Sequence, residues 1–425
     1  MAEDYLPRIV DAELDGAYAE LPAVSIEGPK AVGKTATALR RARTTLFLDD
    51  PGHRELLNAD PSRIDTSAAT LVIDEWQRYP PVWDLVRRSV DRDPTAGRFL
   101  LTGSATPAEA PTHSGAGRIV QLHMRPLTLS ERQLAPTAVS LSSLLSGELV
   151  AIGGDSPVNA RGYAEEIVRS GFPAIRRLAE PTRRLQLDGY LDRIVEHDFP
   201  EQGRTVRRPA TLRAWLRAYA AATATTTSFE KIAAAATPGQ GESPSRATTL
   251  AYREALTRLW ILDQVEGWQP SRNPMTRLAS APKHHLADPA LAARLLGLGA
   301  GALIDGVGPA PAIPRDGTLL GALFESLVTL SVRTYAQAAG ARVGHFRTRN
   351  GDREVDLIVQ RDDGRIVALE IKLARAVEDT TLAHLRWLRD RLGDDLLAAA
   401  VITTGPHAYR RADGIAVIPA ALLGP

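Results

Sequence analysis

The stretch Gly28-Pro29-Lys30-Ala31-Val32-Gly33-Lys34-Thr35 sets two glycines five positions apart and ends on a lysine and a hydroxyl. Residue types at this spacing can cradle phosphate. Glycine lets the backbone curl so that successive N–H groups face inward, and the start of a following helix favours an anion. On this reading Gly28 through Thr35, with Ala36 behind them, contact the phosphates. Lys34 reaches the β- and γ-phosphates, and the Thr35 hydroxyl ligates Mg²⁺. The alternative is an accidental match in an ordinary turn. Context argues against it, because the apolar run Ala23–Gly28 reads as a strand and KTATALRRA after it as a helix.

A second constellation closes the run Leu71-Val72-Ile73-Asp74-Glu75. Acids at the C-terminal edge of a parallel strand face the crevice where ligands bind. Asp74 suits a hold on Mg²⁺ and Glu75 the polarisation of an attacking water, although a strand followed by an acidic helix cap would look the same. Ser104 ends the run RFLLTGS and is read as a γ-phosphate or water contact, against a plain turn former. Arg118 opens RIVQLHM and is read either as a phosphate-sensing arginine or as a solvated edge charge.

These residues need elements to hold them. AVSIEG, TTLFLDD, TLVIDE, RFLLTGS and RIVQLHM are short apolar runs separated by helix-length stretches, which predicts a parallel α/β sheet over residues 1–135. Residues 136–310 change to helical periodicity, with a Pro/Gly/Ser-rich break at Thr237–Arg246. After the loop Asp305–Gly317, residues 311–425 open with a helix. The strand-like runs RVGHFRTR, EVDLIVQR, RIVALEIK and LLAAAVITTG follow, so this part reads as an α/β unit of its own.

Composition bounds the function classes. A chain of 425 residues with 44% hydrophobic and 24% charged residues is a multidomain globular protein. A net charge of +1 excludes a molecule that binds nucleic acid through overall charge, though not through local patches. The lack of cysteine excludes disulfides, thiolate zinc and a cysteine nucleophile, and suits a cytoplasmic setting. The acidic start MAEDYLPRIVDAELDG has no apolar leader, and no apolar run is long enough to span a bilayer, so no membrane partner is expected.

The chain resembles the prokaryotic AAA+-like ATPases that carry a C-terminal domain of unknown function with a restriction-endonuclease-like core. The resemblance rests on YLPRIVDAEL, GPKAVGKT, LVIDEWQRYP, LLTGSATP, GRIVQLHMRPLTLSE, RSGFPAIRR, PKHHLADPAL and FESLV, spread along the whole length. It departs from the pattern at Lys30, where arginine would be usual; lysine keeps the charge. It implies a P-loop ATPase domain, a helical and winged-helix middle, and a restriction-endonuclease-like α/β end. It also implies ATP and Mg²⁺ as ligands, and a homo-oligomer in which a neighbour supplies an arginine.

At that end Asp356 lies in EVDLIV, while Glu370 and Lys372 stand two apart in VALEIK and so share a sheet face. With Glu325 from LFESLV, the carboxylates Asp356 and Glu370 are candidate Mg²⁺ ligands. Asp356, Glu370 and Lys372 are candidate catalytic groups of a nuclease. The plainer reading is an ion pair across one strand face. In the middle, SFEKIAAAA and TTLAYREALTRLWIL resemble two helices of a winged helix, with Arg253 and Arg258 on the second, and RTVRRPATLRAWLR is basic. DNA or RNA is therefore a candidate partner, and a solvated helix face the alternative. His284-His285 reads as a polar loop. Two functions stay open: an ATPase coupled to a nucleic-acid-handling, metal-dependent nuclease, or an ATP-controlled DNA- or partner-binding regulator whose nuclease-like end is inactive.

Overall fold

The computed structural model describes residues 5–65, 70–105, 115–203, 209–237, 244–270, 280–305, 317–348 and 350–425. The five N-terminal runs form strands β1 (Ala23–Glu27), β2 (Thr44–Phe47), β3 (Leu71–Asp74), β4 (Phe99–Gly103) and β5 (Val120–His123). All pair in parallel, in the order β2-β3-β4-β1-β5. Strand β4 thus stands between the glycine-loop strand and the acid strand. Alternation decides the two faces. Val24, Ile26, Val72 and Leu100 point into one large core. Leu71, Ile73, Phe99 and Leu101 point to the other side, under Trp76, Trp83 and Val86. Truncating Trp83 to alanine would remove one wall of that second core, at a cost of ~3–5 kcal/mol.

The middle of the chain is helical, with Ala160–Arg169, Glu180–Arg193, Pro209–Ala221, Phe229–Ala235 and Arg246–Arg258 as its main helices. Five residues, Ile194–Asp198, wind as a π-turn between two of them. Two short strands from this region are β6 (Val139–Ser140) and β7 (Gly267–Trp268).

The C-terminal part starts with the helix Gly317–Ala338 and the strands β8 (Arg342–Arg347), β9 (Glu354–Gln360) and β10 (Ile366–Lys372), which pair antiparallel. The helix Ala383–Leu392 then crosses to β11 (Leu396–Thr403), parallel to β10. Strands β12 (Tyr409–Arg410) and β13 (Ala416–Pro419) extend the sheet. The last strand, β14 (Leu423–Gly424), pairs with β6.

The regions expected at 1–135, 136–310 and 311–425 interleave. β7 joins the C-terminal sheet beside β8, and the chain's end returns to β6. One continuous core runs from Val24 through Trp215 to Ile418. Proline and glycine mark where the chain changes element, but contacts continue across those marks. The breaks at 238–243 and 306–316 lie outside the described residues. Among the described residues no helix is long and apolar enough to cross a membrane.

Candidate functional site

Strand β1 ends at Glu27, and the chain turns at Gly28. A side chain cannot stand there, since a Cβ would lie 2.2 Å from the Met124 carbonyl oxygen. That carbonyl is fixed because the Met124 N–H donates to the Glu27 carbonyl at 2.7 Å. Ala31 (φ +64°) and Gly33 (φ +110°) complete the curl, in conformations that only glycine adopts without cost. Lys34, 4% exposed, donates to the carbonyls of Gly28 and Pro29 at 2.8 Å each. Its ammonium is thus bonded to neutral oxygens, which do not cancel its charge. Burial pushes its pKa down to about 8, against the pull of Glu75, Glu27 and Asp74. A buried cation at a glycine-lined turn fits a phosphate anion.

Thr35 Oγ donates to an Asp74 carboxylate oxygen at 2.8 Å, and Thr102 Oγ to the same oxygen. Burial raises the Asp74 pKa, and the two hydroxyls oppose that rise. A hydroxyl and a carboxylate meeting at the loop is an all-oxygen pair that fits Mg²⁺. Glu75 follows in a left-handed conformation (φ +53°), which aims its side chain away from the strand line. Its carboxylate accepts from Gln77 Nε2 at 2.5 Å and from Ser104 Oγ at 2.8 Å, and its N–H donates to Thr102 Oγ at 3.2 Å. The structure therefore brings Lys34, Thr35, Asp74, Glu75 and Ser104 together at the C-terminal ends of β1, β3 and β4.

Arg118 is a correction. Strand β5 runs parallel to β1, with Val120 beside Val24 and His123 beside Glu27. Arg118, ahead of β5, lies at the sheet edge away from the loop. Its side chain is 48% exposed and pairs with Asp91 at 2.8 Å. Position in the motif order suggested a phosphate contact, but strand direction forbids it.

Several contacts that hold the loop escaped sequence reading. Arg8 is buried; its guanidinium donates to the carbonyls of Val32 and Arg125 and to the Glu131 carboxylate. It thereby braces the loop from YLPR and RPLTLSE. Lys30 pairs with Asp198 of the π-turn at 2.5 Å, and Tyr190 donates to the Lys30 carbonyl. Glu27 keeps one buried carboxylate oxygen without a partner, and burial raises its pKa. A charged residue ending an otherwise apolar strand was the available signal.

At the C-terminal end the structure brings Asp356, Glu370, Lys372 and Glu325 together, but with an addition. The Lys283 ammonium, 1% exposed, stands 2.9 Å from each of Glu325, Glu354 and Asp356. Lys372 pairs with Glu370 at 2.7 Å and lies 3.9 Å from Asp356. The other Asp356 oxygen accepts the Ile371 N–H at 2.8 Å. Burial, and then Asp356, raise the pKa of both Glu325 and Glu370 to about 8. Burial would raise Asp356 too, yet Lys283 and Lys372 hold it below the usual range. On this geometry Lys283, rather than an open position, faces Glu325 and Asp356, and Lys372 faces Glu370. Among the described residues no three acidic or histidine side chains stand ready for a metal ion.

The middle region also differs in detail. Arg253 stacks on the Phe229 ring at 3.5 Å, and Arg258 donates to Gln202, so both arginines of the expected recognition helix turn back on the chain. Arg213 pairs with Asp192, and residues 204–208 of the basic run lie outside the described ones. His284 and His285 form no polar loop. Both are buried; His284 bonds Gln264 and the Thr227 carbonyl, and burial lowers His285 to about 3.

Three stretches match known families: residues 20–133 an AAA domain, 160–302 a domain of unknown function (DUF8612), and 320–423 another (DUF4143). An uncharacterised protein of Mycobacterium tuberculosis and one of Mycobacterium bovis are each 27% identical over 421 residues. Each match covers 97% of this chain and 83% of theirs. Among solved structures, the ADP form of the ORC2 protein of Aeropyrum pernix aligns with 13% identity, covering 69% of this chain and 94% of that one. Its TM-score of 0.24 is too low to assign a fold. The glycine loop on β1, the acids on β3 and the intervening β4 all fall within residues 20–133, the stretch that matches the AAA domain family.

Proposed function

We propose that the chain binds ATP with Mg²⁺, hydrolyses it, and uses the cycle to shift its helical and C-terminal parts. The observation that carries this reading is the convergence of Lys34, Thr35, Asp74, Glu75 and Ser104 at one end of three adjacent parallel strands. Lys34 leaves the Gly28 and Pro29 carbonyls for the β- and γ-phosphates. Thr35 and Asp74 hold Mg²⁺, which when bound neutralises phosphate charge. Glu75 accepts a proton from water as the water oxygen bonds the γ-phosphorus and the bond to the ADP oxygen breaks. Ser104 and Gln77 set the direction of that carboxylate.

With Arg118 at the far edge, a charge-stabilising arginine has to come from elsewhere, which favours a homo-oligomer. A specific activity that rises with protein concentration is the expected sign. The absence of cysteine suits a reducing cytoplasm.

Two roles compete for the C-terminal part. The sequence of one helix, three antiparallel strands, a crossover helix and a parallel strand supports the restriction-endonuclease-like reading of its core. The Lys283 ion pairs favour the non-cleaving form, a regulator that engages nucleic acid or a protein partner. A salt-dependent shift of labelled DNA or RNA identifies the first kind of partner.

The test is steady-state hydrolysis alongside nucleotide binding. Lys34→Ala is expected to lose ATP binding. Glu75→Gln is expected to keep binding and slow turnover by ~10²–10⁴-fold. Undiminished hydrolysis in Glu75→Gln would remove the assignment.

A further inference from the structure

We propose that the Lys283 ammonium is the resident cation of the C-terminal acid cluster, so that this site holds an amine where a divalent metal would stand and refuses Mg²⁺ and Mn²⁺. The inference concerns a site separate from the P-loop and does not depend on ATP hydrolysis.

Three carboxylates from two elements converge on one point: Glu325 from the helix Gly317–Ala338, and Glu354 and Asp356 from β9. Convergent hard oxygens are what a magnesium ion requires. Here the point of convergence is filled by nitrogen, at 2.9 Å from an oxygen of each. The ammonium donates to Glu325 and Asp356 and pairs by charge with Glu354, so it stands where the carboxylates converge.

Most of the remaining oxygens are also committed. The second Asp356 oxygen takes the Ile371 N–H, the second Glu354 oxygen pairs with Arg347 at 3.2 Å, and one Glu370 oxygen pairs with Lys372. Only the other Glu370 oxygen is buried without a partner. That oxygen and the second Glu325 oxygen, on separate carboxylates, do not make a magnesium site, which keeps near-octahedral oxygen geometry.

The lysine has little freedom to withdraw. Its own backbone is paired in both directions with Val265, N–H to carbonyl at 2.9 Å and the reverse at 3.0 Å. The next two residues are pinned as well: the His284 N–H donates to the Thr225 carbonyl, and the His285 carbonyl accepts from Asp263. A metal entering the cluster has to expel a charge that is 1% exposed and whose backbone is held by hydrogen bonds. Moving that ammonium without its acids would leave it buried and unpaired, which is costly.

The arrangement has a positive consequence. Lys283 arrives from the segment before Gly317–Ala338 and binds that helix and β9 at once. It locks the middle region to the C-terminal sheet by charge, in the place where a nuclease would keep its metal.

The test is Mn²⁺ titration of full-length, nucleotide-free protein, read by the paramagnetic signal of free Mn²⁺. The wild type is expected to show no site that Asp356→Asn removes. Lys283→Met keeps the stem and deletes the charge, and is expected to create one Mn²⁺ site per chain, lost again in Lys283→Met/Asp356→Asn. One wild-type Mn²⁺ site abolished by Asp356→Asn overturns the proposal. So does a folded Lys283→Met protein that binds none. Should Lys283→Met fail to fold, the wild-type comparison with Asp356→Asn decides alone.

Discussion

Lys34 is the residue on which the nucleotide site turns, and its protonation can be followed. Without nucleotide, burial holds its pKa at about 8, below the usual lysine value. A triphosphate at the loop restores the charged form, so binding above that value must take up a proton. Affinity for ATP is therefore expected to fall as pH rises beyond about 8, approaching tenfold per pH unit for one proton. Titration calorimetry near pH 9, in two buffers of different ionisation heat, reads that proton directly. Equal apparent heats would show that the amine is already charged before ATP arrives. The sign for stability is the reverse of the usual lysine case. Because the folded pKa is depressed, the unfolded chain binds more protons between about 8 and the free-lysine value near ~10.4. The nucleotide-free fold therefore gains stability over that window as pH rises.

At the level of elements, the loop works because β1 and β5 meet too closely for any side chain at Gly28. Gly28→Ala sets a methyl against the Met124 carbonyl, and the strand pair has to open to admit it. The expected result is a loss of ATP binding with a lower thermal midpoint. The backbone strain contributes ~1–3 kcal/mol of that loss. An unchanged midpoint would mean that the β1–β5 junction is softer than its contacts imply. This loop was legible in the sequence because its chemistry is local: glycine, lysine and threonine stand within eight residues, and the flanking apolar runs have a strand's period. The acid pair at Asp74-Glu75 was legible for the same reason. Lys283 was not. It reaches Asp356 across more than seventy positions through an isolated bridge to Val265, and PKHHLADPAL carries no alternation to announce a strand-like segment. Arg118 was misplaced because motif order says nothing of which end of a parallel strand a residue occupies. The interleaving of β6 with β14 and of β7 with β8 was equally out of reach, since pairing between segments far apart leaves no periodic trace in either.

Across the whole molecule, the sheet that carries the glycine loop, the middle and the C-terminal part meet at one partly buried ion triad. Arg125, just after β5, pairs with Asp263 at 2.8 Å, and Arg333 of the helix Gly317–Ala338 pairs with the same carboxylate at 3.0 Å. Arg333 also donates to the carbonyls of Asp263 and Gln264, and Arg125 to Gln337 on that helix. Eight residues before Arg333 on the helix stands Glu325, which faces Lys283. The triad thus ties the loop's sheet to the same helix that carries Glu325. Burial alone would raise the Asp263 pKa, but the two guanidiniums hold it well below the usual carboxylate range. A carboxyl depressed in this way contributes stability that is complete above its unfolded value near ~4 and is lost as pH falls toward the folded one. Asp263→Asn leaves the buried Arg125 and the half-buried Arg333 without their shared carboxylate, so a loss of ~3–5 kcal/mol is expected at neutral pH. The gap between wild type and variant is expected to narrow from about pH 4 downward, because acid protonates Asp263 in the unfolded wild-type chain while the folded carboxylate stays charged. Urea unfolding at about pH 7, 4 and 2.5 measures that gap. A gap that stays constant with pH would mean that the three parts are held together by their shared apolar core, with the triad contributing little to their union.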